Sequence, residues 1–585
     1  LAELGRELVR RTHNLREAEM MAGLLISNEC HDVVAGLLAD IPDLIDGSPV
    51  LRSALAWNCM REGDLKGAET LVDALLAERD ERDDRSLQSN ILILSGRWVE
   101  LAHFVEAQWA AREKREADEL IQAAQLAHQI GSPRTADLMQ FAATKGAADP
   151  RILLTAYTLA TQMGREDETH AFAWFEQAAA LSNNDGPVQR ISLAELVERA
   201  PAWNEQVDRV SDIWRRGDAP LPVVADALRQ TSLELLLTPI IANPECSDPR
   251  QRVIVSAFSG VREDRPAIGD GAIGLDGSAL VTLAKLGRLE AILTHPRGVV
   301  LPHATLSWLL LERQELPFHQ PSRIAAAHEL TRLMANDKLH LFSPQGAVDA
   351  GLGDLVGRSL AAMLVDAAAT GEVDRPRYVI RSAKVTRAGS FLDETVDLSA
   401  HAPALRSCQA LVDALVLRGV VTEGEEEAAR RYLERAEERW PGEQPIAQGA
   451  DLYLDDLSVA YLRATGMLGK IAAAGFRPFV SEQELATAKA LLEAERRGGE
   501  MEAIVENLRQ LLAEAIAAGT ASLDRWLSED GAKAHPNLAI LQLAPKAAVV
   551  VSDDRHMNQY PHIEHGGGET PIWTSLDLLA ALEEE

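Results

Sequence analysis

Five carboxylates stand where a folded chain seldom puts acids without a partner. The stretch IGLDGSALVTLAKLGRLEAILTHPRGVVLPHATL, from Ile273, and its ungapped companion LYLDDLSVAYLRATGMLGKIAAAGFRPFVSEQEL, from Leu452, each read as a short apolar strand ending in Asp, an amphipathic helix, a Gly turn and a second strand. At one offset of 179 (276 to 455), Leu275 matches Leu454, Asp276 matches Asp455, Leu283 matches Leu462, Gly287 matches Gly466 and Leu306 matches Leu485. Near the end, KAAVVVSDDRHMNQY carries a β-branched run, Val549 to Val551, that delivers Ser552, Asp553 and Asp554 to a strand edge. Glu484 follows the strand RPFVS.

Burial of a carboxylate is unfavourable unless it is paired or binds metal. The carboxyl ends of strands are also where open α/β sheets hold their sites. Asp455, Glu484 and Asp553 or Asp554 come from three elements and are expected to converge at one edge. Oxygen ligands of this kind suit Mg2+ or Mn2+. Bound to such acids, a divalent ion lowers the pKa of its water and offsets charge on a phosphate. Asp276 and Asp455 equally fit helix N-caps.

These residues resemble the PIN-domain nucleases, a central parallel sheet flanked by helices with an acidic cluster that binds Mg2+ or Mn2+. LYLDDLSVAYL, SDDRHMN and TPIWTSLDLL together look like the PIN-like modules attached to tetratricopeptide arrays in bacterial proteins of biological conflict and defence. The resemblance implies a metal-dependent ribonuclease, with RNA or else DNA as substrate. Asp455, Glu484 and Asp553 would be the metal ligands, Asp554 a further catalytic acid, and Arg555 or Asn558 a phosphate contact or a brace for the DDR turn. In HPNLAILQLAPK the sequence offers Asn537 where the family usually has another acid, and Thr305 stands where the second copy has Glu484. YVIRSAKV has no acid where the second copy has SDD, which marks the first copy as degenerate.

The scaffold for these residues is legible in the first half. Cys30, Gly63, Gly96, Gly131 and Gly164 recur as turns 33 to 35 residues apart, followed by small residues such as Ala35, Ala68 and Ala136. This resembles the tetratricopeptide repeat (TPR) over about residues 14 to 185. The implied partner is a protein or peptide on the concave face. Trp98, Trp109 and Trp174 read as core.

The expected fold is therefore an α-helical TPR-like solenoid (1–185), a helical connector (186–267), a degenerate PIN-like unit (268–445) and a PIN-like nuclease domain (446–585), both units Rossmann-like with parallel sheets. The 585 residues carry a net charge of −31 and four dispersed cysteines, Cys30, Cys59, Cys246 and Cys408. A charge of that sign excludes a broad electrostatic footprint on nucleic acid, so any contact must be local. The cysteine spacing excludes a disulfide framework or zinc ribbon. With no apolar run long enough for a membrane span, a cytoplasmic protein is expected. A homo-oligomer stays open. His556, His562 and His565 read as a surface loop rather than a metal site, and the segment 498–519 as an amphipathic core or lid helix. The alternative to a nuclease is a non-catalytic TPR and PIN-like scaffold for protein or RNA.

Overall fold

Left-handed glycines punctuate the first half of the chain: Gly63, Gly96, Gly131 and Gly164 have φ of 81°, 66°, 67° and 68°. Each lets a helix end and the chain reverse without a Cβ clash. The hairpins so formed in the computed structural model are Pro49–Arg61 with Leu65–Glu78, Arg82–Leu94 with Trp98–Ala110, Ala117–Gln129 with Thr135–Lys145, and Pro150–Gln162 with Thr169–Leu181. Leu15–Ser27 and His31–Asp40 precede them. The structure describes residues 2–584 apart from 29, 167–168, 183–185, 190, 192, 254, 258–267, 317–318, 345–349, 370–374, 388–394, 526–534 and 567.

The same turns dock this helical stack onto the rest of the molecule. A Cβ on Gly63 would lie 3.0 Å from the Leu523 carbonyl oxygen, one on Gly96 2.3 Å from the Ala513 Cβ, and one on Gly164 2.9 Å from the Pro321 Cβ. Between them the Arg509 guanidinium, fully buried, lies 4.0 Å from the Trp98 ring centre. Three helices follow the stack: α1 (Leu193–Arg216), α2 (Leu221–Leu228) and α3 (Ser232–Ile241).

Among the described residues, eleven strands then build two sheets. In chain order they are β1 (Ala272–Leu275), β2 (Val299–Leu301), β3 (His340–Leu341), β4 (Arg377–Ile380), β5 (Leu405–Arg406), β6 (Asp451–Leu454), β7 (Arg477–Val480), β8 (Ala521–Leu523), β9 (Ala547–Val551), β10 (His562–His565) and β11 (Gly568–Trp573). The first sheet has the order β10-β11-β9-β1-β2-β8 and is parallel except for the β10–β11 hairpin. The second, β3-β7-β6-β4-β5, is parallel throughout.

The repeat is real in local structure, because β1-helix-β2 and β6-helix-β7 follow one strand-helix-strand plan with N-caps at Asp276 and Asp455. The boundary expected at residue 445 is not where the units divide. Strands β1 and β2 of the first copy pair with β9 and β8 of the second, with β11 beside β9, while β6 and β7 of the second pair with β4 and β3 of the first, with β5 beside β4. Each sheet is composite, and the second is inserted whole between β2 and β8. The cause is the connecting helices. Glu482–Ala518 runs unbroken for 37 residues, about 55 Å at 1.5 Å per residue. That length carries the chain from one sheet to the other. Its Ala488 belongs to the core of the second sheet, and its Met501, Val505, Leu508, Leu512 and Ala515 to that of the first. The segment expected as a separate amphipathic insertion is the latter half of this helix. In the first copy, Thr305–Glu315 and Pro321–Ala335 make the same passage.

Candidate metal centre

At the carboxyl edge of the first sheet, β1 ends in Asp276 and β9 in Ser552, Asp553 and Asp554. Strand pairing sets Leu275 beside Val551, so these termini are neighbours. Asp276 and Asp553 are completely buried. Oδ1 of Asp276 accepts from the Ala279 N–H at 2.8 Å and the Ser278 hydroxyl at 2.7 Å. Its Oδ2 is buried with no hydrogen-bond partner among the described residues. Burial drives the Asp276 pKa up to about 8, with the charge of Asp553 adding to the rise and the hydroxyls of Ser552 and Ser278 moderating it. Asp553 accepts from the Ser575 N–H at 2.9 Å and the Ser575 hydroxyl at 2.6 Å, and its own N–H donates to the Ser278 oxygen at 2.8 Å. Burial raises the Asp553 pKa as well, and the nearby charge of Asp577 adds to it.

Asn537 completes this edge. It is fully buried, and neither its amide oxygen nor its amide nitrogen has a partner among the described residues. A Cβ on Gly277, next to Asp276, would stand 2.1 Å from the Asn537 Oδ1, so only glycine lets that amide approach the β1 terminus. A carboxylate oxygen and an amide oxygen without partners are costly in an apolar interior. Oxygen atoms of this kind are the donor type that Mg2+ or Mn2+ takes, and Asp553 lies on the same sheet edge.

The second sheet presents a different edge. Asp455 ends β6, caps the next helix through the Ser458 N–H at 2.9 Å, and accepts from Arg381 Nη1 at 2.6 Å. Arg381 follows β4, the strand that stands to β6 as β9 stands to β1. A cation therefore occupies the place that Ser552 holds in the first sheet. Glu484 lies in the first turn of the long helix, and its pKa is raised by burial and then by the charges of Asp456 and Asp455. Burial raises Asp455 too, against the pull of Arg381.

A family described as HTH_upstream_double_PIN matches residues 193–262. The matched segment is α1 to α3 and the chain just beyond, with both sheets downstream. No curated protein and no solved structure matches this chain. The description agrees with PIN-related units following this segment. Helix α3 is not free to enter a groove of DNA, because Ser232, Leu233, Leu235, Leu236, Leu237 and Ile241 are all buried.

The expected cluster is thus redistributed. Asp455 and Glu484 come together, but at the second sheet; Asp553 and Asp554 stand at the first, with Asp276. The composite pairing of strands explains the separation. Asp554 does not face the other acids' interior: its Oδ2 accepts from the Leu221 N–H at 2.7 Å and its Oδ1 from the His556 N–H at 2.9 Å. Asn558 is buried and donates to the Ser552 carbonyl at 2.9 Å, bracing the DDR turn, and Arg555 donates to the Arg215 carbonyl. Asp577 was missed by sequence reasoning; its signal is the T-x-x-D box in TSLD, where Asp577 accepts from the Thr574 N–H at 2.8 Å. The expected histidine loop is a hairpin instead. On it the ligand atoms of exposed His562, Glu564 and Glu569 lie within 4.8 Å of one another, the charged edge by which sheets resist further pairing.

Proposed function

We propose that the carboxyl edge of the first sheet is a divalent-metal site for phosphodiester hydrolysis, with RNA as the favoured substrate. One observation carries this reading: among the described residues, Asp276 Oδ2 and the Asn537 amide are buried without a hydrogen bond of ordinary geometry, on the parallel-sheet edge that also carries Asp553. Asp276, Asn537 and Asp553 would hold Mg2+ or Mn2+. When bound, such an ion supplies a water of lowered pKa and positive charge beside the scissile phosphate.

The chain's own groups do the rest. Ser575 fixes both oxygens of Asp553, and Ser278 ties the loop after β9 to the start of the helix after β1. Those bonds hold the two carboxylates at one edge before any ligand arrives, which is the preorganisation catalysis requires. Asp276 must lose its proton to act as a ligand, so binding strengthens as pH rises towards 8.

The alternative, a non-catalytic scaffold, draws support from the Arg381–Asp455 pair, which neutralises the second edge. Docking of a protein or peptide to the helical stack is supported by a groove of about 460 Å³ lined by both charges, Glu69 and Glu100 with Arg97 and Asp80 with Arg85 and Arg115. The stack's likeness to TPR arrays and a role in bacterial defence rest on the sequence resemblance.

Mn2+ binding followed by electron paramagnetic resonance tests the reading, alongside cleavage of mixed RNA and DNA. Asp276→Asn and Asp553→Asn should each weaken Mn2+ binding by at least about tenfold, and Asp455→Asn should leave it unchanged. Binding that instead depends on Asp455 and Glu484 would move the site to the second sheet. No binding at millimolar Mn2+ would favour the scaffold.

A further inference from the structure

The two carboxylates that flank the first edge, Asp554 and Glu312, do not point at each other; each grips the first turn of a short helix from the upstream segment. Asp554 Oδ2 takes the N–H of Leu221, the first residue of α2, at 2.7 Å. Glu312 takes the N–H of Ser232, the first residue of α3, at 3.1 Å on Oε1 and that of Leu233 at 2.8 Å on Oε2. Exposed amide donors and the helix dipole make such ends natural seats for a negative charge.

Further contacts surround these grips. Gly217, between α1 and α2, offers its carbonyl to His556 Nδ1 at 2.9 Å and to Gln559 Nε2 at 3.3 Å. The Ser232 hydroxyl lies 3.5 Å from His535 Nε2. Trp308, whose indole N–H donates to Glu312 at 2.9 Å, also presses on Gly277, where a Cβ would stand 3.0 Å from its ring. Leu221, Val224, Leu233, Leu236 and Leu237 share one core with Leu275, Ala279 and Leu280, the residues around Asp276. The upstream helices sit over the edge that carries the candidate metal ligands.

We propose that α1 to α3 form a releasable cover on this edge, clamped at two helix N-termini by Asp554 and Glu312, and that metal and a nucleic-acid strand enter only when it lifts. The proposal rests on the metal-site reading above and adds its control. A cover fits better than permanent core because its polar anchors are concentrated at helix ends and turns. Those contacts can be exchanged for water; the apolar surface that lifting uncovers comprises Leu221, Val224 and Ala225 of α2 and Leu233, Leu235, Leu236, Leu237 and Ile241 of α3, with Val210 and Trp214 of α1 packed against them.

Two variants on opposite sides of the clamp test this in the full chain. Gly217→Ala acts from the cover: φ there is +75°, and a Cβ would meet the Arg555 Cγ at 2.8 Å. Glu312→Gln acts from the body, keeping Oε1 but setting an amide N–H against that of Leu233. Hydrogen exchange at residues 274–279 and 551–558 should quicken about tenfold or more in both variants, while residues 452–458 of the second sheet stay unchanged. Association of Mn2+ should accelerate by a similar factor.

Unchanged exchange at the first edge in both variants would overturn the cover, and so would a rise shared equally by the second sheet, which would mean general loosening. Faster local exchange without any Mn2+ binding would support the cover while removing the metal-site reading. Mn2+ binding that needs Asp276 but is equally fast in wild type and both variants would keep the metal site and remove the cover.

Discussion

Arg381 Nη1 stands 2.6 Å from Asp455 Oδ2, and both side chains are largely buried, so the acid that ends β6 is answered by a cation. Removing one member of a buried pair leaves an uncompensated charge, at a cost of about 3–5 kcal/mol. Arg381→Met should therefore destabilise the second sheet by roughly 3 kcal/mol. Adding Asp455→Asn, which keeps an N-cap, should recover most of it. Hydrogen exchange over residues 451–458 measures both; equal losses in the single and double variants would show that the pair carries no special weight.

Asp276 gives the first sheet a pH signature. Its folded pKa of about 8 exceeds the ordinary 3.8, so the folded state holds the proton more tightly than the unfolded chain. Stability of the metal-free protein from this group is full below pH 4 and falls as pH rises from about 4 to about 8. Asp276→Asn removes that loss. Thermal unfolding should show a Tm gain of at least about 2 °C at pH 8 and close to none at pH 4. A gain of the same size at both values would contradict the raised pKa.

Arg509 joins the helical stack to the long helix through the Trp98 ring at 4.0 Å. Desolvated cation–π pairs contribute about 2 kcal/mol. Arg509→Met preserves the apolar stem and should lose about that amount. A double-mutant cycle with Trp98→Leu, read by thermal unfolding, should return a coupling of the same order. A coupling near zero would make this contact incidental to docking.

Gly499 lies inside the 37-residue helix with nothing within 4 Å of where its Cβ would be. Alanine is favoured over glycine in a helix interior by about 1 kcal/mol. Gly499→Ala should slow local exchange over residues 495–505 about fivefold. If it accelerates exchange instead, the helix bends at Gly498–Gly499 in solution.

Much of this was readable from residue types. The turn glycines repeat at a period that only stacked hairpins explain, and Asp276 and Asp455 both cap helices after buried strands, as the shared pattern predicts. The strand-helix-strand repeat was legible because apolar and polar alternation is local. What could not be read was which strand lies beside which. Short runs of similar pattern, such as AIGL and DLYL, fit either sheet, and the choice is made by helices whose length and straightness depend on tertiary packing. Hence Asp553 was assigned to the company of Asp455 and Glu484 although it belongs with Asp276. Arg381 carries the sequence signal of this division, since an Arg directly after a buried strand demands an acid opposite.

The nesting of one sheet inside the other also fixes an order of events during synthesis. Ile273 pairs with Val549, 276 residues later by subtraction, whereas every strand of the inserted sheet has been synthesised once Val480 is added. The inner unit can close while β1 still lacks β9 and β2 still lacks β8. Until β9 appears, two apolar strands wait with open edges, a slow, high-contact-order closure exposed to misassociation. A chain ending before Ala547 would be expected to keep the second sheet and lose the first.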